Sequence, residues 1–434
     1  MTGLYPSQCG VRHNRQMCSK DDQMPLRSLA QHMQDAGYQT AGFGKVHWYI
    51  SSYDAPGVEV ETSRRGFEIR YEARAYCPTV SEPNACQMAD ELPVEFEKLK
   101  EEHSTYGFGN ETVEGYLGCT SEVPVEHQQE GWLTSKALKF LEEGRKPGKP
   151  FFMYLSFDAP HAGLNVPKGY EDSYKIEDMV KVELSLDGNC LSSHNKPWRF
   201  EKQWQENTSD FEKKRTMLRY YALCTYVDQL FGKVINKLHE MDELENTLIV
   251  FTSDHGEMLG ERYRFSKYSF YEGSLRVPMI VSGKGVPENL KGTIDKRCAS
   301  LVDIMPTLLA AAGAYIPQEL VGHNLMDKPT NKGAFCELHG SGYHEIEKSP
   351  SYMWRTRNWK LILYMPEHFI NLDSKLDEVK GELYDLFNDP NEFYNLYEKK
   401  ESLEVREKMT RDMLMHLAIS WSRFPRPCSL TALK

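Results

Sequence analysis

Six residues of this 434-residue chain have side chains suited to binding an anion or a metal ion, and they fall on four separate segments. Asp and His supply the oxygen and nitrogen atoms that ligate metals. Lys and His supply the positive charge that an anionic substrate, or a charged transition state, requires. The six candidates are Lys45, His47, His161, Asp254, His255 and Lys267.

Each candidate, taken alone, also has an ordinary structural interpretation. Lys45 and His47 stand two residues apart and would share one face of an extended segment, but a surface Lys beside a turn His has the same pattern. Asp254 is equally suited to capping the next turn. His161 and His255 are equally suited to ordinary loops. A motif this short is a hypothesis until the elements around it bring the residues together.

The segments that precede these groups have the composition of strands. Residues 248–251 are four apolar residues that run directly into Thr-Ser-Asp-His-Gly, and residues 151–157 end just before Asp158-Ala159-Pro160-His161. A short strand over residues 37–43 precedes Lys45. Continuous apolar runs of this kind predict strands buried on both faces of a parallel sheet. Because functional groups collect at the carboxyl ends of such strands, we expect the candidates to meet at one sheet edge.

Between these strands the spacing of apolar residues is helical, which predicts an α/β fold with a mostly parallel central sheet flanked by helices. Residues 51–130 carry scattered Pro, Gly and charges, and we expect them to form a long irregular insertion at the mouth of the site. From residue 333 alternating residues and turn signals predict a small antiparallel sheet with a helix. The expected domains are therefore 1–332 and 333–434.

Composition excludes several classes of protein. The net charge of −11 and the lack of basic clusters argue against a partner that is a nucleic acid or a membrane surface. No apolar run approaches the eighteen residues of a membrane span. The ten Cys include no C-x-x-C pair, so free thiols are expected rather than a disulfide framework or a zinc site.

Seen jointly, these segments resemble the sulfatase family of the alkaline-phosphatase-like superfamily. The resemblance covers nearly the whole chain, and its joint pattern is highly specific. The segments that carry it are Gly44-Lys45-Val46-His47, Ala159-Pro160-His161, residues 253–260, Lys267 with Tyr271-Glu272-Gly273 and Arg276-Val277-Pro278, residues 300–307, and Glu382-Leu383-Tyr384-Asp385-Leu386 with Asp389-Pro390.

The resemblance implies a metal-assisted hydrolase that cleaves the S–O bond of a small-molecule or carbohydrate sulfate ester to give an alcohol and sulfate. Asp254 and His255 would help to hold a divalent metal, which is calcium in most of the family. Many relatives have Asn where this chain has His255, and a nitrogen ligand suits transition metals better than calcium. The residues implied to bind the sulfate oxygens, stabilise the nucleophile and protonate the leaving oxygen are Lys45, His47, His161 and Lys267.

One departure from the family pattern concerns the nucleophile. In the family it is a Cys converted to formylglycine, in a C-x-[PA]-x-R segment directly before T-G-x-Y-P. Here Thr2-Gly3-Leu4-Tyr5-Pro6 begins at residue 2, and none of the ten Cys fits that segment. We therefore expect the formylglycine, the first strand and its pair of metal-binding carboxylates to lie upstream, which would leave this chain inactive alone and its metal site incomplete.

Two other functions stay open at this stage. One is a phosphodiesterase or phosphonate monoester hydrolase of the same superfamily, because sulfate and phosphate esters share geometry and the motifs do not separate them. The other is a non-catalytic relative that binds anions or a partner protein. The oligomeric state is unassigned, and the compartment is open with the cytoplasm favoured over export.

Overall fold

A computed structural model of the chain describes residues 1–12, 24, 26–46, 64–73, 87–106, 117–161, 163–180, 201, 204, 206–328, 332–339, 350–365 and 379–423. The strands are β1 (Gln39–Gly44), β2 (Ile69–Tyr71), β3 (Thr120–Ser121), β4 (Phe151–Ser156), β5 (Val166–Pro167), β6 (Leu248–Thr252), β7 (Met279–Gly283), β8 (Ala334–Leu338), β9 (Ser351–Arg355), β10 (Trp359–Tyr364) and β11 (Lys380–Asp385). The helices are α1 (Pro6–Cys9), α2 (Leu29–Asp35), α3 (Gln87–Glu91), α4 (Pro93–Tyr106), α5 (Gln129–Lys139), α6 (Asp210–Glu240), α7 (Glu272–Leu275), α8 (Ile304–Ala311) and α9 (Leu403–Ser422).

The parallel sheet has the strand order β2-β1-β4, which confirms the predicted α/β architecture. β1 has a hydrogen-bonded neighbour on each side, and all six of its residues are buried. At its end, Gly44 has a φ of 91°, and a Cβ added there would lie 1.7 Å from the carbonyl oxygen of Ser156. Only glycine satisfies both conditions, so Gly44 lets β1 approach β4 closely just where the chain continues into Lys45.

β4 and β6 differ from the predicted fully buried strands. Every residue of β4 and of β6 is only partly buried, although both runs are apolar. β4 pairs with β1 alone, and β6 pairs, antiparallel, with β7 alone, among the strands of the described residues. One backbone edge of each strand thus has no neighbouring strand in the described part of the chain, which explains the incomplete burial.

The helices cover the sheet with continuous apolar faces. α6 begins at a capping box in which the Ser209 side chain and Glu212 satisfy each other's backbone N–H groups. Its buried stripe includes Tyr226, Leu230 and Val234, and the C-terminal end of that stripe shares a core with Phe43 of β1. No helix among the described residues is long and apolar enough to cross a bilayer.

Residues 51–130 are not wholly irregular, so that expectation was wrong for the part of the insertion that is described. α3 and α4 lie within it, and Met88, Phe96 and Leu99 join the core that contains Phe43. Charged residues between these apolar positions weaken the helical pattern. These helices are therefore identified from the core that they form in the structure and not from the sequence pattern.

The predicted antiparallel sheet near the C-terminus is confirmed. Its strand order is β11-β10-β9-β8, all neighbours are antiparallel, and α9 packs Met409 and Met413 against it. Tyr5 from the opposite end of the chain enters the same core, and its hydroxyl lies 2.9 Å from Nε2 of His416. This sheet therefore shares its core with residues from the N-terminal end of the chain.

Candidate active site

Lys45 stands where β1 ends and points between two carboxylates. Its backbone N–H donates to the carbonyl oxygen of Ser156 at 3.1 Å, which fixes the residue against the end of β4. Its Nζ lies 3.6 Å from Oδ1 of Asp158 and 3.6 Å from Oδ2 of Asp254. The Lys45 side chain is 10% exposed and that of Asp254 is 63% exposed, so Asp254 faces open space beside a buried cation.

Asp254 and His255 follow β6 directly, and the hydrogen bonds of His255 decide its tautomer. Nδ1 lies 2.8 Å from the carbonyl oxygen of Gly256, which only accepts, so Nδ1 carries the proton. Nε2 is then unprotonated and carries a free lone pair. It is buried, has no hydrogen-bond partner in the described structure, and lies 3.7 Å from Oδ2 of Asp254. Burial, and after it the charge of Lys267, lowers the pKa of His255 to about 4, so the ring is neutral at pH 7.

The carboxyl of Asp254 is ionised under the same conditions. Although the side chain is 63% exposed, the protein atoms around the carboxyl displace part of its water, which alone would raise its pKa. Lys45, His255 and Lys267 more than offset that effect, and the pKa lies below its ordinary value. A carboxylate oxygen and a free imidazole nitrogen are both metal-ligand atoms, and a ring that donates its other N–H to a carbonyl is oriented for ligation.

Lys267 and His161 form the second half of the site. Nζ of Lys267 lies 3.0 Å from Nε2 of His161. Burial, followed by repulsion from Lys45, lowers the pKa of Lys267 to about 8, while Asp254 opposes that change. An amine with this pKa gives up a proton far more readily than an exposed lysine, and its contact with an imidazole provides an acceptor or donor in direct reach.

The structure thus brings five of the six sequence candidates together. The rings of His161 and His255 are 6.1 Å apart between centroids, which joins the Lys267–His161 pair to the Lys45–Asp254 pair. His47 lies outside the described residues. The catalytic and metal-binding roles assigned to the six stay predictions, because proximity alone does not test them.

Asp158 is a member of the site that the sequence reasoning missed. It follows Phe157 at the end of the β4 segment, in the position that Asp254 occupies after β6, so its place in the sequence was a usable signal. Its Oδ1 is one of the two carboxylate partners of Lys45.

The metal-binding potential of the described residues is partial. They contain no group of three or more His, Cys, Asp or Glu side chains that could hold a metal ion. Asp254 and His255 offer two ligand atoms, and the unpartnered Nε2 of His255 fits a metal better than a hydrogen-bonded ring would. Two ligands are fewer than the four or more that metal sites use.

The family model described as Sulfatase matches residues 1–314, nearly three quarters of the chain. The chain belongs to the sulfatase family. A second model, N-sulphoglucosamine sulphohydrolase, C-terminal, matches residues 260–418, which include the antiparallel sheet and most of α9. The recognition made from the motifs is therefore confirmed, and so is the assignment to sulfuric ester hydrolases by family. A divalent metal and formylglycine are general features of that family.

Individual relatives agree with this assignment. The chain is 31% identical to Arylsulfatase K of Canis lupus familiaris over 288 residues, which cover 61% of this chain and 52% of that protein. It is 27% identical to Arylsulfatase of Clostridium perfringens over 90% of this chain and 78% of that one. The phosphonate monoester hydrolase SpPMH from Silicibacter pomeroyi shares the fold, with a TM-score of 0.72, 20% identity, and coverage of 100% of this chain and 87% of that one. The chain thus spans about half of the length of the Arylsulfatase K that it matches.

Proposed function

We propose that this chain forms the larger part of a hydrolase that cleaves the S–O bond of a sulfate ester carried by a small molecule or a carbohydrate. The observation that carries the proposal is the pair Lys267–His161, with Nζ and Nε2 3.0 Å apart, beside the buried cation Lys45. Two cations and an imidazole converge from three separate segments, which suits a tetrahedral oxyanion whose charge grows in the transition state. The match to a sulfohydrolase C-terminal model supports a sugar among the substrates.

The described residues would divide the work as follows. Lys45 and Lys267 bind the sulfate oxygens, and the carboxylates beside Lys45 hold its ammonium group in place. The Lys267–His161 contact holds the proton that the leaving alcohol oxygen requires, because the lowered pKa of Lys267 brings proton transfer within reach at neutral pH. His47 is proposed as the base that assists the release of sulfate after the ester bond has been cleaved.

Asp254 and His255 would hold part of a divalent metal site. Formylglycine in a longer form of the protein would supply the nucleophile, and the metal would supply Lewis-acid stabilisation of the sulfate charge.

We also propose that the working enzyme contains a further strand between β4 and β6. Support comes from three features. One edge of each of these two strands has no partner strand among the described residues, both strands are incompletely buried, and Asp254 after β6 is 63% exposed. An extended segment seated there would satisfy both edges and could bring a nucleophile and additional carboxylates to the same point. The 434-residue chain alone would then be inactive.

The first test is the intact mass of the native protein isolated from its source. We expect a mass above the 50.1 kDa of this chain, with extra N-terminal peptides that contain a formylglycine. A mass equal to that of the chain would refute the proposal of a further strand between β4 and β6. It would favour a protein that binds anions without hydrolysing them.

The second test separates sulfate from phosphate chemistry in that native protein. We expect faster hydrolysis of 4-nitrophenyl sulfate than of bis(4-nitrophenyl) phosphate, with loss of both on Lys267→Ala. The matched control is Lys291→Ala, since Lys291 is an exposed lysine paired with Glu288. Faster phosphodiester turnover would instead favour the phosphodiesterase alternative. That alternative is compatible with the fold, which a phosphonate monoester hydrolase shares.

A further inference from the structure

Two carboxylates lie behind the site and belong to none of the roles discussed so far. The first is Glu130, near the N-terminus of α5, which is 6% exposed. Its Oε1 accepts the backbone N–H of Ala159 at 3.1 Å. Ala159 is two residues before His161, whose own N–H donates to the carbonyl oxygen of Asp158 at 2.8 Å. Glu130 therefore ties the backbone of the His161 loop to a rigid helix.

The second carboxylate, Glu257, performs the same task for the loop of Lys267. Its Oε1 accepts the backbone N–H of Leu259 at 3.1 Å and also that of Ser266, the residue directly before Lys267. The N–H of Met258 closes the same loop by donating to the carbonyl oxygen of Ser266 at 2.9 Å. One carboxyl oxygen thus joins the start of the loop to its end.

The backbone around Lys267 needs such support. Leu259, Ser266 and Tyr268 have φ values of 47°, 62° and 61°, in the left-handed region that disfavours residues other than Gly. Residues in this region persist only where surrounding contacts hold them. Lys267 stands between two of these residues, so its direction depends on the hydrogen bonds that fix Ser266.

We propose that Glu130 and Glu257 are positioning residues which together set the contact between His161 and Lys267. Each carboxylate fixes the backbone of one loop, and the side chains of the two loops meet at 3.0 Å. The geometric claim concerns this chain alone. Its catalytic consequence rests on the proposed function.

The chain offers a matched control in Glu337. It is also 6% exposed, and its Oε1 also accepts a backbone N–H, that of Ser7 at 2.6 Å. It lies on β8 in the antiparallel sheet, so removing it tests the loss of a buried carboxylate without loosening either site loop. The conservative variants E130Q and E257Q keep an acceptor oxygen at nearly the same place.

The experiment measures how fast an amine-acylating reagent modifies Lys267 in the full chain, by mass spectrometry, with Lys291 as internal reference. Inorganic sulfate is the probe, and the sulfate concentration that protects Lys267 by half is the readout. We expect E130A and E257A to raise this concentration about 10–100-fold, since small misplacements of binding groups have effects of this size. We expect E130Q and E257Q to stay within about threefold of the unaltered chain, and E337A to match it.

Half-protection by the same sulfate concentration in E130A, E257A and E337A would overturn the proposal. If the alanine variants fail to fold, E130D and E257D decide, because they keep the charge but shorten the side chain. Unchanged protection in both aspartate variants would then refute positioning. If protection shifts as expected but the native protein hydrolyses no sulfate ester, the proposed function fails while the positioning role stands.

Discussion

Replacing Glu130 by glutamine is expected to stabilise the protein above pH 7 and to change its stability little at pH 4. Burial is the largest influence on Glu130, and together with the negative charge of Asp158 it raises the pKa from 4.5 to about 7, although the N–H of Ala159 acts in the opposite direction. At 1.36 kcal/mol per pH unit, this rise corresponds to about 3 kcal/mol. The side chain is almost fully buried, so solvent screening does not reduce the figure greatly.

The sign of the effect follows from linkage. The folded state binds the Glu130 proton more tightly than the unfolded state does. The contribution of this proton to the free energy of unfolding is therefore fully present below pH 4.5. It is lost as the pH rises to about 7. A glutamine side chain at this position would stay neutral at every pH and lose nothing over that interval. The free energy of unfolding of E130Q should therefore exceed that of the unaltered chain by an amount that grows to about 3 kcal/mol by pH 8.

Urea unfolding followed by tryptophan fluorescence, at intervals between pH 4 and pH 8.5, measures this difference directly. Glu122→Gln serves as the control, because Glu122 is an exposed carboxylate whose pKa is lowered by its hydrogen bond with Lys168. A difference between E130Q and the unaltered chain that stays constant from pH 5 to pH 8 would refute the reasoning. It would mean that Glu130 is ionised throughout, held by its backbone donors.

Three further outcomes are expected. Gly44→Ala should prevent folding or cost several kcal/mol in urea unfolding, because the added Cβ would overlap the carbonyl oxygen of Ser156 in the next strand. Gly37→Ala, at a φ of 88° with open space around it, should cost about 1 kcal/mol. Equal costs for the two substitutions would contradict the steric argument. Lys360→Met should lower the unfolding free energy by about 3–5 kcal/mol, since it leaves the buried Glu392 without its cation and leaves Glu272 with Arg355 alone. Lys291→Met should lower it by less than about 1 kcal/mol. In the native protein isolated from its source, whose metal site is proposed to be complete, His255→Ala should weaken Mn²⁺ binding about tenfold or more by titration calorimetry. An unchanged affinity would exclude Nε2 as a ligand.

The positions of the strand ends could be predicted from the sequence for a physical reason. A core strand needs a continuous apolar run, so the first polar residues after it mark the sheet edge. Lys45 and His161 each follow such a run, and the parallel pairing of β1 with β4 brings these two carboxyl ends together. Asp254 also follows an apolar run, β6, and its carboxylate lies 3.6 Å from Nζ of Lys45, although the strand that pairs with β6 in the described residues is the antiparallel β7. Three local patterns were therefore sufficient to bring distant residues to one site.

The supporting contacts could not be predicted in the same way. Glu130 acts on the N–H of Ala159, 29 positions further along the chain, and any residue except proline presents such a group. Glu257 acts on the N–H of Ser266 in a loop whose left-handed residues follow no sequence rule. When a side chain bonds to a backbone group, the identity of the partner residue leaves no pattern in the sequence. Such a contact can therefore be identified only from the folded structure.

The antiparallel sheet contributes to the site through its buried charges, although the division at residue 332 was predicted as a domain boundary. Lys360 of β10 is fully buried, and its Nζ donates to the carbonyl oxygen of Phe270 at 2.8 Å, three residues after Lys267. The same Nζ lies 2.8 Å from Glu272 and 2.6 Å from Glu392. A buried ammonium with three oxygen partners tolerates little displacement, because each partner offsets part of the free energy that the charge loses on leaving water. The backbone of Phe270, three residues after Lys267, is therefore fixed from beyond residue 332, while Glu257 fixes that of Ser266 directly before Lys267. Residues 1–332 alone lack some of the contacts that hold Lys267 against His161.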